Sequence, residues 1–157
     1  MIELTGGKLS IDTLRAIIFD NREVSVSAGS LNSINRSFEF LEKFARDKLI
    51  YGINTGLGPM TQYRINENDL KNLQYNLIRS HSAGCGNPIL PLYVKASMLA
   101  RLNSLAKGFS GINSEAVELL QILINKNITP LIPEHGGVGA SGDLVQLAHL
   151  ALVMIGE

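Results

Sequence analysis

Apolar residues recur along this chain at helical spacing more often than at strand spacing. Leu31, Ile34, Phe38, Leu41 and Phe44 fall three or four residues apart, with Glu42, Lys43, Arg46 and Asp47 elsewhere on the wheel, which predicts an amphipathic helix. Ser10 reads as the N-cap of a short helix through Leu14, Ile17 and Ile18. Val24-Ser25-Val26 is a brief extended piece that can pair with Ile2-Glu3-Leu4. From Tyr51 to Gln62 the chain becomes a glycine-rich loop. Asn66 then caps a helix with Glu67 and Asp69 in its first turn, where carboxylates favour the dipole. Its apolar face is Leu70, Leu73 and Leu77, and it is expected to stop around Gly84. Leu92 to Lys107 predicts another helix, closed by Gly108. Ser114 reads as the cap of a further one through Leu119, Leu120, Leu123 and Ile124, ending near Asn127.

The last element differs from the others. From Leu144 onward nearly every residue is apolar, and a helix apolar all round belongs in the interior of a larger body. It runs to Glu157 with no terminal glycine turn, so the chain is expected to be a fragment, cut inside or just after a buried helix. No linker or internal repeat is visible upstream. Residues 1–157 therefore read as one mainly α domain with a few short strands.

Composition narrows the chemistry. The chain has 157 residues, enough for one domain with a core, and a formal net charge of zero, which offers no electrostatic footprint for nucleic acid or an anionic membrane. A single cysteine excludes an intrachain disulfide and fits a reducing compartment. Cys85 reads as a small filler between Gly84 and Gly86 rather than a nucleophile. The N-terminus lacks a basic stretch followed by an apolar one, and the apolar run Leu147 to Ile155 is too short to span a bilayer, so a cytoplasmic location is expected. The 3 histidines have no metal-ligand spacing, and no metal site is expected.

Candidate chemistry lies in Gly136-Gly137-Val138-Gly139-Ala140-Ser141-Gly142-Asp143-Leu144. Ala140-Ser141-Gly142 can become an electrophile if the Gly142 amide nitrogen attacks the Ala140 carbonyl and two waters leave, the second carrying the Ser141 hydroxyl. A glycine suits the attacking position because a side chain there would hinder the close backbone approach. The alternatives are a flexible turn before a helix and a dinucleotide-binding fingerprint, since Gly137 to Gly142 fits G-x-G-x-x-G and Glu157 lies about twenty residues on. The second is disfavoured by the two prolines in Ile128-Thr129-Pro130-Leu131-Ile132-Pro133, where a central strand should run.

Three segments, in order, resemble the aromatic amino acid ammonia-lyase family. Tyr51-Gly52-Ile53-Asn54-Thr55-Gly56-Leu57-Gly58 is similar to its Tyr-Gly-x-Asn-Thr-Gly-Phe-Gly signature. Leu73 to Gly84 resembles the helix end carrying the substrate-selecting pair, and Pro130 to Leu152 the segment around the prosthetic group. The departures are Leu57 for the usual Phe, and Val145-Gln146 where Ala-Pro is commoner.

The resemblance implies the helical ammonia-lyase fold of the fumarase/aspartase-like superfamily and a 4-methylideneimidazole-5-one group formed from Ala140, Ser141 and Gly142. The implied reaction is loss of ammonia from histidine to give urocanate, with a tyrosine or phenylalanine lyase or an aminomutase as the alternative. In it the substrate amine adds to the prosthetic group, which makes the nitrogen a better leaving group, and a base removes the β-proton. The resemblance makes Tyr51 that base, against the plainer reading of a tyrosine packed in a turn. It makes Ser80 and His81 the selecting pair, of the histidine-type form that some tyrosine lyases and aminomutases share; the plain alternative is a structural His at a helix end. Asn54 and Gly58 fall in the substrate-binding signature, with Asn54 able to orient the loop. Asp143 polarises the Ala140 carbonyl during ring closure, caps the following helix, or does both. His135 reads as a loop residue and His149 as a hydrogen-bonded core histidine. The implied assembly is a homotetramer with pockets shared between subunits, so the fragment alone is expected to be inactive and to leave Ser141 uncyclised.

Overall fold

The computed structural model describes residues 1–139 and 141–157; Ala140 and the side chain of Glu67 lie outside the described residues. Strand β1 (Ile2–Leu4) leads into helix α1 (Ile11–Ile18), strand β2 (Val24–Val26) and helix α2 (Ala28–Phe44). After the Tyr51 loop, with its short 3-10 turn at Gly58–Met60, come α3 (Glu67–His81), β3 (Cys85–Pro88), α4 (Pro91–Leu105), α5 (Ser114–Asn125), β4 (Pro133–His135) and α6 (Leu144–Ile155). The mainly α expectation holds.

Local chemistry sets the ends of these helices. Ser10 Oγ accepts from the Thr13 N–H at 3.1 Å, and Asn66 Oδ1 from the Asn68 N–H at 3.3 Å, as their cap positions predict. Ser27 caps α2 in the same way, accepting from the Ser30 N–H at 3.1 Å. The cap of α5 is Asn113, which accepts from the Glu115 N–H at 2.9 Å, so Ser114 is the first helical residue and not the cap. An amide oxygen one residue earlier reaches the orphan N–H groups of the first turn. Helix α6 ends on Gly156 with φ +87°, a left-handed glycine stop that the apolar pattern concealed. That helix is also only half-interior: Ala148 and Leu150 are buried, whereas Leu144 is exposed.

β1 pairs with β2 in parallel, Ile2 opposite Val24 and Leu4 opposite Val26. β3 pairs with β4 antiparallel, Cys85 opposite His135. The second pair has no alternating apolar signal, and it places Cys85 on the surface rather than as a filler, and His135 on a strand rather than in a loop. Among the described residues the strands form two two-stranded sheets, and the glycine run follows an antiparallel edge. The dinucleotide-binding alternative requires a parallel sheet feeding that run, so it fails.

α4 is the axis of the core: Met98, Leu99 and Leu102 are sealed against Ile17, Val117, Leu120 and Ile124 from its neighbours. Fully burying each such side chain contributes about 1.5–3 kcal/mol. Lys95, on the same helix, is buried with its Nζ donating to Asn21 Oδ1 at 3.1 Å and to Asn127 Oδ1. Both asparagines hold left-handed backbone, φ +51° and +54°, just past the ends of α1 and α5. Burial pushes the Lys95 ammonium below its ordinary pKa. α3 packs along α6, and Arg79 on α3 grips the Glu157 carboxylate through Nε at 2.9 Å and through a second guanidinium nitrogen.

Candidate active site

The Tyr51 loop is held by one side chain. Asn54 is buried, and its Nδ2 donates to the Ala45 and Lys48 carbonyls at 2.8 and 2.7 Å while its Oδ1 accepts from the Ile50 N–H at 2.8 Å. Its whole amide is spent on the backbone that presents Tyr51. The loop is closed below by Ile65 N–H to the Asn54 carbonyl at 3.0 Å and Gly56 N–H to the Tyr63 carbonyl at 3.2 Å. Gly56 is required by closeness, since a β-carbon there would lie 2.6 Å from Met60 Cβ. Gly58 is required by conformation, with φ +55°. Thr55, 2% exposed, is as buried as any core residue; the loop's polar composition gave no sign of that.

These anchors leave the Tyr51 ring 65% exposed over a groove of about 640 Å³. The groove runs between the loop, the last turns of α3 and the start of α6, and it gathers Tyr51, Leu57, Gly58, His81, Arg101 and Leu144. Residues 51, 81 and 144 meet here because α3 packs on α6 and the loop, ordered internally by Asn54, lies over the groove between them. His81 Nδ1 lies 2.9 Å from the Leu77 carbonyl oxygen. A carbonyl only accepts, so Nδ1 carries the proton and a neutral His81 keeps Nε2 as a free acceptor. Ser80 is exposed and lies outside the groove wall; its hydroxyl donates to the Leu77 carbonyl at 3.0 Å and sits 3.2 Å from His81 Nδ1. Arg101 was invisible to sequence reasoning, because nothing in its spacing distinguishes it from a solvated helix cation. The N-terminus of α6 adds a partial positive charge at the groove's edge.

The Gly136–Asp143 loop leads directly into Leu144, the first α6 residue on the groove wall. Ser141 and Asp143 are exposed, and Asp143 occupies the N-cap position of α6 without a side-chain capping bond, which corrects its expected capping role. Asp143 also borders a smaller cavity of about 240 Å³, shared with Ser97, Arg101 and Gln146. Ala140 lies outside the described residues. Gly142 has φ +75°, and a β-carbon on it would meet nothing within 4 Å, so glycine is selected there by its backbone angle rather than by crowding. The space on the side that a Gly142 β-carbon would take is open. His149 on α6 is hydrogen-bonded as expected, its Nε2 accepting from the Gly84 N–H.

A model of the family described as "Aromatic amino acid lyase" matches residues 9–157. The chain belongs to the aromatic amino acid lyase family. It is 46% identical over all of its length to a histidine ammonia-lyase of Shouchella clausii (strain KSM-K16), of which it covers 32%. The crystal structure of histidine ammonia-lyase from Trypanosoma cruzi superposes with a TM-score of 0.88 at 37% identity, covering 99% of this chain and 30% of that one. Tyrosine aminomutase from Streptomyces globisporus superposes equally well, with a TM-score of 0.88 at 35% identity over 99% of this chain and 29% of that one. The chain thus spans about a third of the length of the lyases it matches. Among the described residues no helix is long and apolar enough to cross a membrane, and no cluster of His, Cys, Asp or Glu is placed to hold a metal ion.

Proposed function

We propose that the chain is the N-terminal part of a histidine ammonia-lyase that releases ammonia from L-histidine and leaves urocanate. The observation that carries this is the groove in which Tyr51, Gly58 and His81 face the start of the helix that follows Ser141-Gly142-Asp143. The residues present fit a 4-methylideneimidazole-5-one group made from Ala140, Ser141 and Gly142. Once formed, that group supplies an electrophile that makes the amine a better leaving group.

The chain's own residues do the rest. Tyr51 takes the β-proton, in a groove whose wall it shares with the Arg101 cation and the start of α6. His81 offers Nε2 as an acceptor for an N–H on the substrate's side chain, with Ser80 and the Leu77 carbonyl fixing the ring. Asn54 and Gly58 hold the loop that carries Tyr51, and Asp143 stands beside the ring-forming residues to polarise the Ala140 carbonyl. The half-exposed apolar flank of α6 supports an assembly of several copies, a homotetramer, and the location in this reading is the cytoplasm. The likeness to a tyrosine aminomutase favours a second reading, in which the same machinery acts on tyrosine.

The deciding experiment incubates the family-length protein separately with histidine, tyrosine and phenylalanine and follows the ultraviolet absorbance of the conjugated acid. Urocanate from histidine alone is the expected result. Coumarate as the main product moves the protein to the tyrosine branch. Silence with all three, together with an intact mass that shows no loss of two waters, overturns the lyase reading.

A further inference from the structure

Among the described residues one buried side-chain acceptor has no hydrogen-bond partner: Oε1 of Gln146. Gln146 is the third residue of α6 and lies under the glycine loop. A β-carbon built on Gly137 would lie 2.5 Å from Gln146 Nε2 and 2.6 Å from the Gly142 carbonyl oxygen, so the amide and that carbonyl converge on the space the missing side chain leaves. The same amide borders the cavity shared with Asp143, Ser97 and Arg101. A side-chain amide is a two-sided tool, donor at Nε2 and acceptor at Oε1. Leaving its buried oxygen unused costs free energy unless a loop N–H or a water meets it. Glutamine at the third position of a helix characteristically reaches back to the backbone before the first turn.

We infer that Gln146 is a positioning residue for ring closure at Ala140-Ser141-Gly142, its amide holding the Gly142 peptide in the bent conformation that cyclisation needs. The inference rests on reading that tripeptide as the ring precursor. The step it assists balances without a co-reactant. The Gly142 nitrogen forms a bond to the Ala140 carbonyl carbon; the carbonyl oxygen leaves as water with the amide hydrogens of Gly142 and Ser141. The Ser141 hydroxyl then leaves as a second water with the hydrogen on its α-carbon. Gln146 exchanges no atom in either loss.

The test measures intact mass of the family-length protein harvested at intervals after a short pulse of expression, for wild type, Gln146→Met and Gly137→Ala. Gln146→Met keeps the volume and removes both polar atoms. Gly137→Ala keeps the amide but drives a methyl group between it and the Gly142 carbonyl; Gly137 is not in the left-handed region, so alanine fits its backbone. The expected result is a wild type that becomes two waters lighter, and variants that do so roughly threefold to tenfold more slowly, Gln146→Met at an unchanged melting midpoint. A folded variant of either kind that cyclises at the wild-type rate overturns the inference while leaving the ring itself intact. A wild type that never loses the two waters overturns the ring reading, and this inference with it.

Discussion

The backbone N–H of Gly84 donates to Nε2 of His149 at 3.2 Å, tying the bend after α3 to the middle of α6. A β-carbon on Gly84 would lie 3.0 Å from both that nitrogen and Pro133 Cγ, so the two helices meet here with no room to spare. The contact carries the groove, because His81 lies three residues before Gly84 and Leu144 five residues before His149. Replacing His149 with Leu removes the acceptor and strands a half-buried N–H, at a cost of about 1–3 kcal/mol. Urea denaturation of wild type and His149→Leu measures it; equal midpoints would show that the helices are held elsewhere.

Tyr51 is fixed by a loop whose order comes from Asn54, and its ring reaches the groove without packing into the core. Tyr51→Phe in the family-length protein is therefore expected to leave the fold and the two-water mass loss intact while turnover falls roughly 10²–10⁴-fold, the usual contribution of a positioned general base. Steady-state rates and intact mass are read on the same sample. Undiminished turnover removes Tyr51 from the chemistry.

His81 presents one ring nitrogen to the groove and spends the other on its own helix. Substituting Leu removes the acceptor for a polar substrate ring and makes the wall apolar. His81→Leu should lower kcat/KM for histidine by roughly 10²-fold or more, since a buried polar group of the substrate loses its partner, and should raise the relative rate with phenylalanine. An unchanged ranking of the three amino acids would return His81 to a structural role.

Lys95 ties the residues after α1 and α5 through Asn21 and Asn127, and burial lowers its pKa from the ordinary 10.5. Between its folded value and 10.5 the unfolded chain binds more protons than the folded one, so this group's contribution to stability rises with pH across that window. The cost of burying the charge is felt in full below it. Wild type should gain on Lys95→Met as the pH is raised through this range. Denaturant midpoints at a series of pH values check the sign; a constant gap would mean that the ammonium is not desolvated.

The sequence by itself determined the helices and singled out the Ala140-Ser141-Gly142 tripeptide, because both are written in neighbouring residues. Apolar positions three and four apart name a buried face, as Ile34 and Leu120 do, and Ser10 and Asn66 cap their helices through atoms within three residues. Only the tertiary structure decided which residues share a groove. Tyr51, His81, Arg101 and Leu144 are far apart along the chain, and nothing local distinguishes Arg101 from a solvated cation or Gln146 from an ordinary helix residue. The β3–β4 pair was illegible for the same reason, since Cys85-Gly86-Asn87-Pro88 has no alternation and is extended only because Pro133–His135 lies beside it. Helix periodicity and end-caps act over one or two turns, whereas a site is made by long-range packing, whose geometry depends on every element between its parts.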